Sequence, residues 1–248
     1  MKDERSNSSV KKANVLLKQE IDEFGFSMVN NIYTEEEIKQ ILTVIEAANS
    51  DKATFRKSED LFAIRQFLRE LPEIRAIIFN DKLKQILNGV FGDRYFVVKS
   101  IYFDKPEKSN WYVAYHQDLT ISVDQKVTLE GFGPWTVKQN QFAVQPPIDI
   151  LERNFTLRVH LDDTNGGNGA LKVIPISHLK GIYRPETINW EREQEVVCEV
   201  GKGGVMFMKP LLLHSSSRTT NGQKRRVIHI EFSDVELPNS LQWSERLN

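Results

Sequence analysis

The spacing of hydrophobic residues along the chain changes once, near Gly92. Before that point, apolar residues recur every three or four positions, as they do on one face of an α-helix. After it, short runs of β-branched and aromatic residues alternate with glycine-containing turns, a pattern typical of β-strands. A helical leader followed by many short strands favours a mainly β fold, a sandwich or barrel braced by α-helices.

The part of the chain before Gly92 predicts several helices. A capping box marks the start of one, because the Thr34 hydroxyl and the Glu37 carboxylate can each satisfy a free amide of the first turn. The predicted helices are a short one from Val15 to near Gly25 and four with apolar stripes, at Ile38, Ile41, Leu42 and Ile45, at Leu61, Ile64, Phe67 and Leu68, at Ile74, Ile77 and Ile78 after Pro72, and at Leu83, Ile86 and Leu87 before Gly89. Residues 1–12 are polar and are expected to form a disordered tail.

The part after Gly92 predicts strands at 95–103, 155–161, 170–174, 195–200, 205–208 and 227–232. Between residues 122 and 150 the pattern is irregular, which indicates either a functional loop such as a lid or a poorly marked pair of strands. We expect one domain over residues 13–248. Within it, residues 13–91 are predicted to be helical support, 92–237 the β core and 238–248 a C-terminal tail.

Composition narrows the class of protein. With 40% hydrophobic and 27% charged residues the chain can bury a sizeable core. Its formal net charge of −1 gives no electrostatic reason to bind nucleic acid or an anionic membrane surface. A single cysteine, Cys198, excludes an internal disulfide and fits a reducing compartment. We see no signal peptide and no long apolar run, so we expect a cytoplasmic protein.

Two metal-capable side chains, His116 and Asp118, stand two residues apart at the end of a segment that reads as a strand. Because side chains in a strand alternate faces, both point to the same side. An imidazole and a carboxylate placed in this way supply two of the three ligands of a 2-His-1-carboxylate triad, which leaves open positions on iron(II). His-x-Asp pairs are common, so this interpretation requires a second histidine downstream.

His214 is such a histidine, and a basic strand follows it. A co-substrate with two carboxylates that is held on iron needs a cation opposite the metal. Arginine suits this role because its planar guanidinium pairs a carboxylate through two hydrogen bonds and stays charged. Arg225 and Arg226 are both candidates, and strand alternation does not choose between them, since both faces of this strand can be buried.

Taken together, these motifs resemble the phytanoyl-CoA dioxygenase family of iron(II)/2-oxoglutarate oxygenases, over roughly residues 20 to 237. The matching segments are Tyr115-His116-Gln117-Asp118, Leu161-Asp162-Asp163-Thr164, Asn168-Gly169-Ala170-Leu171, Ile174-Pro175-Ile176-Ser177-His178, Leu213-His214-Ser215-Ser216 and Arg225. The chain departs from the family at Ile176, where glycine is more usual. The resemblance implies a double-stranded β-helix, a jelly-roll or cupin-like barrel braced by α-helices.

The resemblance also implies a metal centre and a co-substrate. His116, Asp118 and His214 match the iron ligands, and no catalytic residue beyond this centre is implied. Arg225, eleven positions after His214, matches the arginine that pairs with the far carboxylate of 2-oxoglutarate. O2 takes the remaining position on iron. The reaction implied is hydroxylation of an aliphatic carbon with release of succinate and CO2; Asp118 argues against halogenation, because related halogenases have a small residue there.

Further residues are assigned to the co-substrate and substrate. Ser216, Lys99 and Ile101 match positions that contact the co-substrate or line its pocket. The substrate candidates are Arg158, Trp135 and Lys105. Arg158 matches a site that is aromatic in the eukaryotic acyl-CoA hydroxylase, and a cation there favours a different, anionic small molecule. Trp135 has two interpretations, closing a lid over substrate or anchoring the long irregular segment.

The remaining histidines and Arg226 are given simpler interpretations. His160 either lines the pocket or is structural, His178 fixes the Ser-His turn, His229 belongs to the core rather than to the surroundings of the metal, and Arg226 is a solvated neighbour of Arg225. Two alternative functions also stay open. One is a zinc-dependent hydrolase on a similar barrel, although it would not require Arg225. The other is a non-catalytic, cupin-like binding protein.

Overall fold

A computed structural model describes residues 2–48, 51–59, 62–138, 141–238 and 241–247. The helices are α1 (Lys2–Phe24), α2 (Glu35–Glu46), α3 (Phe67–Glu70), α4 (Arg75–Ile78), α5 (Asp81–Val90) and α6 (Ile148–Glu152), with 3-10 turns at Pro72–Ile74, Gly166–Asn168, Ser177–Lys180 and Pro185–Thr187. The strands are β1 (Phe26–Val29), β2 (Phe55–Lys57), β3 (Phe62–Arg65), β4 (Phe96–Lys105), β5 (Val113–His116), β6 (Ile121–Val123), β7 (Trp135–Lys138), β8 (Gln141–Val144), β9 (Phe155–His160), β10 (Leu171–Val173), β11 (Val196–Cys198), β12 (Val205–Met208), β13 (His214–Ser216) and β14 (Arg225–Ser233).

The strands form three antiparallel sheets. The large sheet has the order β1-β12-β9-β14-β4-β3-β2, a four-stranded sheet has the order β11-β10-β13-β5, and a small sheet has the order β6-β8-β7. Within the described residues the hydrogen-bonded ladders do not join into a closed barrel. The mainly β, double-stranded β-helix architecture braced by helices is confirmed.

The two faces of the large sheet have different neighbours. On β14, Ile228 and Ile230 pack into the core that the sheet shares with the helices. The alternate residues Arg225 and His229 face the other way and line a cavity together with residues of the four-stranded sheet. Both faces of β14 are therefore buried, as alternation with a period of two requires of a central strand with cover on each side.

The helical leader forms as the sequence predicts around α2. The Thr34 backbone N–H donates to the Glu37 carboxylate at 2.8 Å, and the Glu37 N–H donates to the Thr34 hydroxyl at 3.2 Å. The apolar stripe of α2 is buried at Ile38, Ile41 and Ile45. Helix α1 ends before Gly25 as expected, but it begins at Lys2 and so includes most of the predicted tail. No glycine or proline lies between Lys2 and Phe24 to stop the helix earlier.

The predicted division into helical support and β core is too simple. Strand β1 pairs with β12, and β2 and β3 extend the large sheet beyond β4. The helix predicted around Ile64 and Phe67 is wrong in its first half, because residues 62–65 form β3; Leu61 lies outside the described residues. A short apolar run fits either period, and Gln66, at φ 51°, separates the strand from α3.

The irregular segment between residues 122 and 150 agrees with the strand-pair interpretation. Strands β6, β7 and β8 form the small sheet, whose apolar residues pack against Leu241 and Trp243. The predicted C-terminal tail is thus part of the folded core: Trp243 is 6% exposed, and Leu247 pairs with Val97. In the described ranges, the helices lack an apolar stretch of the length that spans a bilayer.

Candidate metal centre

His116 and His214 are brought together by the pairing of β5 with β13, in which they are direct partners. Their ring centroids lie 4.3 Å apart. Asp118 follows β5, and its backbone N–H donates to the Pro210 carbonyl at 2.9 Å. The Asp118 carboxylate lies 3.9 Å from Nε2 of His116 through Oδ1 and 3.9 Å from Nε2 of His214 through Oδ2. One potential ligand atom from each residue lies within 4.8 Å of the others, a spacing that can hold a metal ion.

The two imidazoles are oriented by their own strands. Nδ1 of His116 lies 2.9 Å from the Ala114 carbonyl, and Nδ1 of His214 lies 2.8 Å from the Leu212 carbonyl. Because a carbonyl only accepts, each Nδ1 carries the proton and each Nε2 keeps a lone pair. Asp118 Oδ2 is buried without a hydrogen-bond partner. A metal ion would satisfy all three groups, so the donor set fits a divalent metal.

The electrostatics favour the protonation states that bind metal. Burial raises the pKa of Asp118, but nearby positive charges, His214 first among them, outweigh burial and lower it to about 2. Burial lowers the pKa of His214 to about 4, even though Asp118 opposes this shift. At neutral pH the centre therefore offers a carboxylate and a neutral imidazole.

The triad opens into a cavity of about 240 Å³ between the large and four-stranded sheets. Besides the triad, its polar wall includes Lys99, Arg158, Ser216, Arg225 and His229. Its apolar wall includes Leu171, from the Asn168-Gly169-Ala170-Leu171 segment, and three residues outside the quoted motifs, Phe103, Trp111 and Val113. Of these three, only Phe103 has a sequence signal, since it shares a strand face with Lys99 and Ile101.

Arg225 lies in this cavity at 4% exposure, and its Nε and Nη1 have no hydrogen-bond partner. Burial, reinforced by Arg158, lowers the pKa of Arg225 to about 9, so it stays charged at neutral pH. A buried guanidinium with unpaired N–H groups is costly unless an anion binds it. Ser216 lines the same cavity and donates its hydroxyl to the Gly169 carbonyl at 2.9 Å.

Arg226 differs from Arg225 and is not the solvated neighbour that we predict from the sequence. It forms a two-point ion pair with Asp162, from Nε to Oδ2 at 2.9 Å and from Nη2 to Oδ1 at 2.6 Å. Its backbone N–H also donates to Asp162. The Arg226 guanidinium is therefore paired with Asp162. Of the two neighbouring arginines on β14, Arg225 is the one that lines the cavity.

A charged network lies next to Asp118 in the cavity wall. Nη1 of Arg158 lies 3.2 Å from Nδ1 of His229, Nε2 of His229 lies 3.0 Å from Glu231, and Lys99 pairs with the same Glu231 oxygen at 2.6 Å. The predicted core role of His229 is corrected, because it lines the cavity. Glu231 was not anticipated, although it continues the face of Arg225 and His229 with a period of two.

Asp118, His229 and Glu231 also bring potential ligand atoms within 4.8 Å of one another. Arginine has no acceptor atom, so Nδ1 of His229 must accept the hydrogen bond from Arg158. The ring proton then sits on Nε2 and is donated to Glu231. Neither nitrogen keeps a free lone pair, so this group is a hydrogen-bonded network and not a second metal site.

Two predicted substrate residues lie elsewhere among the described residues. Lys105 is fully buried, and its ammonium donates to the Ser217 carbonyl. Trp135 packs with the apolar residues of the small sheet, which agrees with the anchoring interpretation. Among the described residues, neither Lys105 nor Trp135 lines the cavity. Lys99 and Ile101 do line it, but the Lys99 charge is already paired with Glu231.

His160 and His178 lie outside the described wall of the cavity. Nδ1 of His160 lies 2.8 Å from the Thr164 hydroxyl, and burial lowers its pKa well below the usual value. His178 joins the Ser-His turn to α1, with Nε2 3.2 Å from the Asp22 carbonyl. The residue before that turn, Ile176, has φ 69°, a left-handed conformation that explains why glycine is usual there.

Comparisons with known proteins agree with this geometry. A sequence model of the family described as phytanoyl-CoA dioxygenase matches residues 21–227. No curated protein matches the chain by sequence. Many solved structures share its fold, among them the following three. The epimerase SnoN in complex with Fe3+, alpha ketoglutarate and nogalamycin RO has a TM-score of 0.67 and 14% sequence identity, with 96% of both chains covered. EctD from S. alaskensis with 2-oxoglutarate and 5-hydroxyectoine has a TM-score of 0.66 and 18% identity, with 87% of this chain and 74% of that chain covered. The non-heme alpha ketoglutarate dependent carbocyclase SnoK from nogalamycin biosynthesis has a TM-score of 0.65 and 16% identity, with 88% of this chain and 83% of that chain covered.

The three likenesses establish the fold, and the family match rests on sequence over most of the chain. That match covers all three residues of the triad and Arg225. This chain therefore belongs to the phytanoyl-CoA dioxygenase family.

Proposed function

We propose that this protein is an iron(II)- and 2-oxoglutarate-dependent dioxygenase that hydroxylates an aliphatic carbon of a small organic substrate, releasing succinate and CO2. The observation that carries the proposal is the presence, in one cavity, of a metal-ready His116–Asp118–His214 triad and the unpaired guanidinium of Arg225. A metal site alone suits many reactions. A metal site with a buried arginine across from it suits a co-substrate that binds the metal at one end and carries a carboxylate at the other.

Each residue has a defined role in this proposal. His116, Asp118 and His214 would hold the iron, and their Nδ1 tethers to strand carbonyls keep both Nε2 atoms directed at it. The bound iron and 2-oxoglutarate together supply the oxidising chemistry. Arg225 pairs the far carboxylate of the co-substrate and fixes its direction, with Ser216 in the same cavity. The carboxylate of Asp118 occupies the position where a halide would bind, which favours hydroxylation.

The substrate is expected to be a small molecule. SnoN and EctD were crystallised with nogalamycin RO and 5-hydroxyectoine, respectively. The cavity is small and lies between two sheets, which suits a ligand of that kind better than a macromolecule. A cytoplasmic location remains a prediction from composition.

The test is 2-oxoglutarate turnover. Purified protein with iron(II), ascorbate and air should convert 2-oxoglutarate to succinate, slowly alone and faster with a suitable substrate. Arg225→Met should weaken 2-oxoglutarate binding by roughly 10- to 100-fold, the loss expected for a charge-assisted pair, with iron still bound. Arg192→Met, at an exposed arginine, is the matched control.

Absence of 2-oxoglutarate binding to the iron-loaded protein would contradict the proposal. A zinc hydrolase or a non-catalytic binding protein would give that result, since neither needs a dicarboxylate opposite the metal. An unchanged 2-oxoglutarate affinity in Arg225→Met would show that another cation binds the far carboxylate.

A further inference from the structure

The cavity carries more positive charge than the proposed co-substrate can neutralise. Among the described residues that line it or pair with its lining, Lys99, Arg158 and Arg225 are cations, and Asp118 and Glu231 are carboxylates. The histidines bind metal only as neutral imidazoles, and His229 is neutral because it accepts from Arg158. The protein groups therefore leave one positive charge in excess. Iron(II) adds two charges and the 2-oxoglutarate dianion removes two, so the excess persists.

By this count the remaining positive charge falls on Arg158, since the Asp118 carboxylate, which acts on Arg158, is assigned to the metal. Lys99 is neutralised by Glu231 at 2.6 Å, and Arg225 is assigned to the co-substrate. Arg158 is 7% exposed, its Nε has no hydrogen-bond partner among the described residues, and its Nη1 donates to a neutral histidine. Burial lowers the pKa of Arg158 to about 10, so it remains charged at neutral pH. An uncompensated buried charge of this kind is costly, which favours binding of an anion.

The strand register separates Arg158 from the far end of the co-substrate site. Arg158 on β9 is the partner of His229 on β14, four residues along the strand from Arg225. At about 3.3 Å per residue, the two positions are roughly 13 Å apart along the sheet. His229 is also within 4.8 Å of Asp118, measured between potential ligand atoms. Along the sheet, Arg158 thus lies next to the candidate metal centre, and Arg225 lies four residues further along β14.

The guanidinium of Arg158 is also held in place. Its bond to His229 continues to Glu231 and Lys99, so the network ties β9 to β14, which contributes both His229 and Glu231, and to β4. A fixed guanidinium with free N–H groups can pair a carboxylate without a further loss of side-chain freedom. The network therefore serves to position a binding group.

We propose that Arg158 binds a carboxylate of the substrate beside the metal, so that this enzyme oxidises small organic acids in preference to neutral molecules. The inference rests on the proposed function and specifies its substrate class. It also assigns His229, Glu231 and Lys99 as positioning residues for Arg158.

The experiment is anaerobic calorimetry on protein loaded with iron(II) and 2-oxoglutarate. The probes are carboxylates and their primary amides, which match in shape and differ in charge: propionate and propionamide, hexanoate and hexanamide, benzoate and benzamide. At least one carboxylate should bind roughly 10-fold or more tightly than its amide. Arg158→Met should abolish the preference and leave 2-oxoglutarate affinity within about twofold of the wild type. Arg192→Met should keep both.

Arg158→Lys provides a second variant if Arg158→Met does not fold, since it keeps the charge but loses the two-point geometry. It should bind the preferred carboxylate more weakly than the wild type and still distinguish it from the amide. The inference is overturned if no carboxylate in the panel is preferred, or if the preference is unchanged in both variants. It is also overturned if Arg158→Met weakens 2-oxoglutarate as strongly as Arg225→Met does, because both arginines would then serve the co-substrate. Failure of 2-oxoglutarate itself to bind would instead reject the proposed function.

Discussion

His116 and His214 are direct partners across the antiparallel strands β5 and β13, with ring centroids 4.3 Å apart. They are separated by 98 positions in the chain. Because each ring donates Nδ1–H to a carbonyl two residues before it, the same local geometry orients both imidazoles. A single strand pairing therefore creates the two-histidine part of the centre, and Asp118, two residues on, completes it.

The left-handed backbone at Ile176 predicts a stabilising substitution. A β-branched residue at φ 69° is strained, and the Ile176 side chain is 46% exposed, so little packing is lost with it. Ile176→Gly should raise the free energy of unfolding by about 1 kcal/mol. Urea denaturation measures this change. Leu179→Gly, at an exposed position without a positive φ, should not stabilise the protein; equal or lower stability of Ile176→Gly would show that the turn is unstrained.

The two neighbouring arginines of β14 should have different roles: Arg226 should contribute to the stability of the fold, and Arg225 should bind the co-substrate. Arg226→Met removes the two-point ion pair with Asp162. The Arg226 side chain is only 12% exposed and that of Asp162 only 17%. We expect it to lower the free energy of unfolding by about 1–3 kcal/mol and to leave 2-oxoglutarate affinity unchanged. Denaturation and calorimetry on the same preparation test both points. A large loss of 2-oxoglutarate affinity would mean that Arg226, and not Arg225, serves the co-substrate.

Glu245 predicts a pH dependence of stability. It is 1% exposed, and burial raises its pKa to about 7, although hydrogen bonds from Ser100 oppose the shift. The folded state therefore prefers the protonated acid. Its contribution is fully present below the unfolded pKa of about 4.3 and is lost as pH rises through about 7. Glu245→Gln should flatten the decline in stability between pH 5 and 8 relative to the wild type, as measured by urea unfolding at each pH; parallel profiles would contradict this assignment.

The sequence identifies His116, Asp118 and His214 as candidate ligands because these residues lie in motifs with local constraints. The His-x-Asp spacing determines a shared strand face, and the resemblance supplies the distant His214 and Arg225. The departure at Ile176 was visible for the same reason, since glycine is usual at that turn. The roles of Glu231 and Lys99 were not predictable in this way. Their pairing depends on the register of β14 against β4, which is set by packing along the whole strand pair.

The errors in the fold have a similar origin. Phe62, Ala63 and Ile64 are apolar at positions that fit a helix and a strand equally, and pairing with β4 decides between them. Residues 122–150 form strands too short to show a clear period. Trp135 is a bulky aromatic and Lys105 a cation, but Trp135 packs in the apolar cluster of the small sheet and Lys105 donates to Ser217, so neither lines the cavity. Sequence patterns identify such residue types without giving their tertiary neighbours.

Anaerobic iron(II) titration, read by calorimetry, tests the proposed metal centre most directly. We predict one iron(II) per chain in the wild type. His214→Ala should weaken binding by more than the roughly 10- to 100-fold typical of losing an outer-shell partner. His178→Gln, outside the centre, should bind as the wild type does. A wild-type protein that binds no iron(II), or a His214→Ala protein that binds it with unchanged affinity, would contradict the assignment of His116, Asp118 and His214 as the metal ligands.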